Sequence, residues 1–335
     1  MGRILPIVIL LVAFGGNSEG MVKNEQDETL MRVRLVLDAM SAKRYNSAAG
    51  SSLTLAMTPV IFWHGMGDTA HGSSEIERLA LQRKYPGMAV FSVQIGNNAL
   101  EDDLASYFVN VNHQISSVCK EILENELIKR HGSFNAVGFS QGGQFIRGLI
   151  ERCNFRENGI KVKNFVSLGG QHQGVFGLPN CKGNPFCDHI RSLLTHAAYT
   201  PSVQEHIVQA EYWHDPYQEA EYRDRSIFIA DINNERVINE TYRSNLLALD
   251  HMILVKFEDD EMVVPRESSH FGFYAPGQAE QVIPLSESDL FRSDRLGLKR
   301  LQEAEKLRMI SVPGKHLQYS MTWFIDQIAS VYLNN

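Results

Sequence analysis

The segment "NAVGFSQGGQFIRGLIERC", residues 135–153, sets Ser140 between glycines where an apolar run gives way to helix-like spacing. Gly138-Phe139-Ser140-Gln141-Gly142 has the form G-x-S-x-G. With a strand before it and a helix after it, that form is the context in which a serine becomes a nucleophile. The reason is steric: a tight turn lifts Oγ above the strand ends, and the glycines let helix and strand approach closely. The helix N-terminus also brings partly positive N–H groups beside the oxygen that gains charge during attack.

Such a serine needs a base, and the base needs an orienting acid, in the chain order serine, acid, histidine, each on a loop after a later strand. Of twelve histidines, His316 falls in a short turn, "PGKH", directly after the late strand pattern "LRMISV", and is the predicted base. His172, His214 and His251 could do the same chemistry, but they lie in or at the end of a segment that reads as an insertion, where a structural role is expected. The acid should follow "MILVKF", where the chain reads "EDDEMVV". Asp259 and Asp260 both fit, with Glu258 and Glu261 as solvated charges, and spacing does not choose between the aspartates. Two N–H donors should face the developing oxyanion. Gln141, after the nucleophile, supplies one, and Gly65 or Met66 in "WHGMGD" supplies the other. His and Cys show no metal-ligand spacing, so neither a metal nor a cofactor is implied.

Alternating elements must position these groups. "PVIFWHG", "MAVFSVQI", "FNAVGFS", "VKNFVSLGG", "MILVKF" and "LRMISV" read as buried strands. "DDLASYFVNVNHQISSVCKEILENELIKRHG" carries Ile115, Val118, Ile122 and Leu123 at helical spacing and stops at Gly132. A terminal helix is expected over "LQYSMTWFIDQIASVYL", with Leu317, Met321, Phe324, Ile325 and Ile328 on one side. Strands alternating with helices predict an α/β fold with a mostly parallel sheet covered on both faces. Residues 171–250, rich in aromatics, His and turn residues, interrupt the rhythm and read as an inserted cap.

At 335 residues, with 44% hydrophobic and 21% charged, the chain suits one core plus such a cap. A net charge of -7 with no basic stripe excludes a phosphate-backbone binder, so no nucleic-acid partner is expected. Residues 1–20 hold a short apolar stretch, Ile4 to Phe14, with signal-peptide flanks, a signal anchor being the alternative, so the mature chain is expected to keep no transmembrane segment. Residues 21–57 form a charged N-terminal extension of unclear role, and 58–335 read as the catalytic domain. Four cysteines in a chain that enters an oxidising compartment are expected to pair as Cys119–Cys153 and Cys181–Cys187. "NET" makes Asn239 a glycosylation candidate.

From about residue 59 onward the chain resembles the palmitoyl-protein thioesterase family, lysosomal α/β-hydrolases that remove fatty acyl groups from S-acylated cysteines. The resemblance runs through "WHGMGD", "GFSQGGQF", "GGQHQGVFGLP", "QAEYWHDP", "SIFIADIN", "FGFY", "SDRLGLK" and "HLQYSMTWF". It implies an α/β-hydrolase fold, Ser140 as nucleophile, His316 as base, Asp260 as acid, and the N–H groups of Met66 and Gln141 as oxyanion donors. It further implies an acyl groove formed with the inserted segment, paired cysteines, a glycan on Asn239, and S-acylated proteins or peptides and fatty acyl thioesters as partners. Lysosomal residence is implied, with secretion as a second fate. The chain departs from the family at Thr69 and Ala70, where some animal members carry two cysteines, at His270, where relatives have tryptophan, and over residues 21–57. A general carboxylesterase or lipase with the same triad is the alternative reading. A non-catalytic lipid binder that keeps the hydrolase shell is a third.

Overall fold

The computed structural model describes residues 57–177 and 193–334; residues 1–56, Cys181 and Cys187 lie outside the described residues. The core strands are β1 (Val60–Trp63), β2 (Val90–Ser92), β3 (Ser133–Phe139), β4 (Lys161–Leu168) and β5 (His251–Phe257). A short antiparallel pair, β6 (Phe273–Tyr274) and β7 (Val282–Ile283), precedes the last core strand, β8 (Leu307–Val312). The six core strands run parallel in the order β2-β1-β3-β4-β5-β8. This is an α/β-hydrolase fold.

Side chains alternate between the two faces, and in the central strands both faces are buried, which is why these strands read as continuous apolar runs. Ile61, Trp63, Phe134, Ala136, Phe165 and Leu254 belong to one apolar layer. Val60, Phe62, Val137, Phe139, Val166 and Val255 belong to the other. The first layer includes Ile115, Val118 and Ile122 of α3 (Val111–Glu124) and Phe145, Ile146 and Leu149 of α5 (Gln141–Arg152). The second includes Leu81 of α1 (Glu75–Lys84) and, from the C-terminal helical segment, Phe324, Ile328 and Leu333.

The long helical run is broken into α2 (Ala99–Phe108), α3 and α4 (Glu126–His131). Asparagine causes both breaks. Asn110 Oδ1 accepts the N–H groups of Asn112 and His113, and Asn125 Oδ1 those of Leu127 and Ile128, so each starts a new helix. Gly132 ends the run in the left-handed conformation at φ 73°. The terminal helix begins later than the apolar spacing suggests, because Ser320 caps it through Trp323 N–H. Leu317 instead sits in the preceding loop at φ 56°.

Cys119 and Cys153 form a disulfide, Cα atoms 5.8 Å apart, tying α3 to the end of α5. Between β4 and β5 the described residues are helical or irregular, with helices including α6 (Pro201–His206), α7 (Val208–Glu211) and α8 (Glu240–Leu247). No helix among the described residues is long and apolar enough to cross a membrane.

After β1 the chain moves outward to β2, then returns past β1 to β3 and continues the other way. Loops leaving the carboxyl ends of β1 and β3 therefore diverge, and the crevice between them is where open parallel sheets gather ligands.

Candidate active site

Ser140 follows β3 at that crevice, with φ 53° and ψ -125°, a conformation costly for a residue with a side chain. Its N–H is held by Leu168 O at 2.8 Å. The neighbouring glycines have no substitutes. A Cβ on Gly138 would lie 2.4 Å from Gly143 Cα, and one on Gly142 would lie 2.2 Å from Trp63 O.

His316 Nε2 lies 2.9 Å from Ser140 Oγ, and His316 Nδ1 lies 2.6 Å from Asp260 Oδ2. The Asp260 side chain is fully buried, and its Oδ1 accepts N–H bonds from Met262 at 2.8 Å and Val263 at 3.0 Å. Asp259 is exposed, its N–H bonded to Gly314 O, so the two aspartates that spacing left equivalent have different surroundings. The three histidines that could do the same chemistry are held elsewhere. His172 bonds Ser167, His214 is stacked between Tyr222 and Phe273, and His251 meets Asn164 Oδ1. His270 meets the strand backbone, its Nε2 at 3.1 and 3.2 Å from the carbonyls of Leu254 in β5 and Ile310 in β8.

Gln141 is the first residue of α5, so its N–H precedes the helix's own hydrogen-bond ladder and faces the crevice end. The β1 loop runs alongside: a Cβ on Gly65 would sit 3.0 Å from Ser140 Cβ. One helix grips both sides of this arrangement. Ser106 O of α2 accepts from the side chains of Gln141 and Gln209, Ser106 Oγ accepts Gly67 N–H at 2.9 Å, and Gln209 Nε2 also reaches Met66 Sδ. Four residues earlier on the same helix face, buried Asp102 binds His64 Nε2 and accepts the N–H groups of Ala70 and Ile95. His64, Asp102, Ser106 and Gln209 were not found from the sequence. Asp102 and Ser106 read there only as parts of an amphipathic helix, and the partners that tie them to the site, His64, Ala70, Gly67 and Gln141, lie more than thirty residues away.

Burial works against charge on both His64 and Asp102, yet the contact between them prevails: the His64 pKa is raised above 6.5 and that of Asp102 is lowered below 3.8. Glu151, fully buried on α5, is pushed up to about 7 by burial, against the pull of Arg147. The raised pair, His64 and Glu151, stabilises the fold fully below their unfolded values and loses that contribution as pH rises through the folded values. Asp102 contributes above its unfolded value and loses it only as pH falls through its depressed one. Buried His172, with its pKa lowered by burial, works in the opposite sense, so the test is differential: in calorimetry Asp102→Asn should lower Tm more near pH 5 than near pH 8.5. An Asp102→Asn Tm loss that is equal at both pH values would contradict the assignment.

A cavity of 370 Å³ lined by Ile150, Phe155, Ile160 and Val162 touches none of these groups and lies by the opposite, amino end of β4.

The palmitoyl protein thioesterase family model matches residues 59–316. Palmitoyl-protein thioesterase 1 of Caenorhabditis elegans is 43% identical over 278 residues, covering 82% of this chain and 91% of that protein. Palmitoyl-protein thioesterase 3 of Dictyostelium discoideum is 34% identical over 289 residues, covering 86% and 93%. Lysosomal thioesterase PPT2-B of Xenopus laevis is 28% identical over 265 residues, covering 78% and 86%. Among solved structures, an extracellular α/β-hydrolase from a Paenibacillus species is 14% identical with a TM-score of 0.42, covering 82% of this chain and 99% of that one.

Proposed function

Because the chain belongs to the palmitoyl protein thioesterase family and is a thioester hydrolase of it, we propose that it releases long-chain acyl groups from S-acylated cysteines through Ser140, His316 and Asp260. The observation that carries this reading is the continuous hydrogen-bonded path from Ser140 Oγ through both imidazole nitrogens to a buried carboxylate. Ser140 Oγ attacks the thioester carbonyl as its proton passes to His316 Nε2, and Asp260 keeps the imidazole in the accepting tautomer. The oxyanion is met by the N–H groups of Met66 and Gln141. The carbon–sulfur bond breaks, the thiol leaves, and water then splits the acyl-serine by the reverse proton path.

Met66, Phe108 and Val109 are apolar yet exposed around the β1 loop and the end of α2, which supports an acyl-binding surface shared with the inserted segment, residues 171–250. Relatives named lysosomal thioesterases support lysosomal residence, reached through a signal peptide over residues 1–20. Asn239 is exposed and caps α8 through Oδ1, so the cap does not use the amide nitrogen that would carry a glycan.

Matched palmitoyl thioester and oxyester substrates, compared by kcat/KM with purified protein, test the substrate class. Faster thioester turnover is expected. Markedly faster oxyester turnover would instead identify a carboxylesterase or lipase.

A further inference from the structure

Ser140 Oγ has a second polar neighbour besides the imidazole. Gln171 Nε2 lies 3.2 Å from it. Gln171 is 5% exposed, and its Oε1 is buried without a partner among the described residues. A buried amide that leaves its oxygen unpaired is unfavourable, so its orientation needs a reason.

The residues on either side are fixed. Gly169, at φ 65°, passes so close to the base that a Cβ there would lie 2.9 Å from His316 Cε1. His172 is fully buried, stacked on Phe271 with ring centroids 4.8 Å apart. Its Nδ1 accepts from Arg147 Nε at 3.2 Å, which leaves Nε2–H to donate to Ser167 Oγ at 2.8 Å. Burial, reinforced by the Arg147 charge, holds this imidazole neutral. Gln173 N–H is bonded to Ser268 Oγ at 3.0 Å. Gln171 is thus presented by a loop anchored on both sides, and its approach to Oγ is preorganised.

We propose that Gln171 is a further catalytic residue that donates an N–H bond to Ser140 Oγ and acts chiefly in deacylation. The proposal rests on Ser140 being the nucleophile. In the resting site His316 Nδ1–H donates to Asp260 Oδ2, so Nε2 accepts the hydrogen bond of the Ser140 hydroxyl and Gln171 occupies a lone pair of Oγ. A donor there slightly weakens the nucleophile. A thioester tolerates this, because its leaving thiolate belongs to an acid of pKa about 8.5. The acyl-enzyme is an oxyester, and its leaving group is the far more basic serine alkoxide. Water attacks the acyl carbon while its proton passes to His316 Nε2. The carbon–Oγ bond then breaks, its electron pair stays on Oγ, and the proton on Nε2 is returned to that oxygen. Charge gathers on Oγ as this bond breaks, which is when the fixed N–H of Gln171 stabilises it most.

Gln171→Leu and Gln171→Glu both remove the amide donor. With a palmitoyl thioester, each should lower kcat on the order of tenfold, while kcat/KM, which reports acylation, changes less than about threefold. Both variants should release a burst of one thiol per active site, and the acyl adduct on Ser140 should accumulate in the intact-protein mass spectrum. Labelling of Ser140 by a fluorophosphonate checks that each variant retains a folded site. Loss of kcat/KM equal to the loss of kcat, or turnover without acyl-enzyme accumulation in variants that still take the label, would overturn the proposal. Absence of any adduct on Ser140, in wild type and variants alike, would overturn the nucleophile assignment itself and this proposal with it.

Discussion

Ser140→Ala should lower kcat for acyl release from an S-palmitoylated cysteine peptide by about 10⁴-fold or more. Alanine keeps the Cβ that the strained turn already accommodates at φ 53°, so the substitution adds no new clash. The bond from Ser140 N–H to Leu168 O belongs to the backbone and survives. What disappears is the one hydroxyl that His316 Nε2 meets within hydrogen-bond reach among the described residues. Residual hydrolysis would come from the oxyanion donors and substrate binding acting on water, which the loss of the nucleophile leaves intact. The measurement is single-turnover and steady-state release of the fatty acid, paired with a Tm that stays within about 2 °C of wild type. A variant retaining more than about a tenth of wild-type kcat would remove Ser140 from the mechanism.

The parts of this site that were legible in the sequence are those governed by local sterics. G-x-S-x-G identifies Ser140 because Gly138 and Gly142 have strand and helix backbone within 2.5 Å of where a Cβ would stand. The central strands were legible because β1, β3, β4 and β5 are buried over most of their length and leave nearly uninterrupted apolar runs, whereas β8 at the edge exposes Arg308, Met309 and Ser311. Interactions made across long loops were not. Asp259 and Asp260 are adjacent, and only the turn after β5, which sends one outward to solvent and the other under His316, separates them. Gln171 stood in plain view in "GGQHQG", but its contact with Ser140 depends on β4 lying beside β3 and on His172 being locked beneath the loop. The three-helix break over residues 99–131 was likewise hidden, since Asn110 and Asn125 act as caps inside a run whose apolar spacing continues through them.

Asp260→Asn should cost about 10⁴-fold in kcat at neutral pH, as much as or more than Asp260→Ala, although asparagine is nearly isosteric. The reason lies on the far side of the carboxylate. Oδ1 accepts the N–H groups of Met262 and Val263, a position that only an oxygen can fill. An asparagine must therefore keep its oxygen there and turn its NH₂ toward His316 Nδ1. Facing a donor, Nδ1 becomes an acceptor, and the imidazole proton moves to Nε2, the nitrogen that has to receive the Ser140 proton. The base is then held in the wrong tautomer by an otherwise undisturbed site. Alanine removes the partner without imposing that tautomer, leaving a fraction of the imidazole competent. Steady-state kinetics of the two variants on one thioester, with Tm measured for each, gives the ranking. Asparagine clearly more active than alanine would mean that the Met262 and Val263 contacts do not fix the orientation of residue 260. The role of Asp260 would then reduce to holding the ring in place.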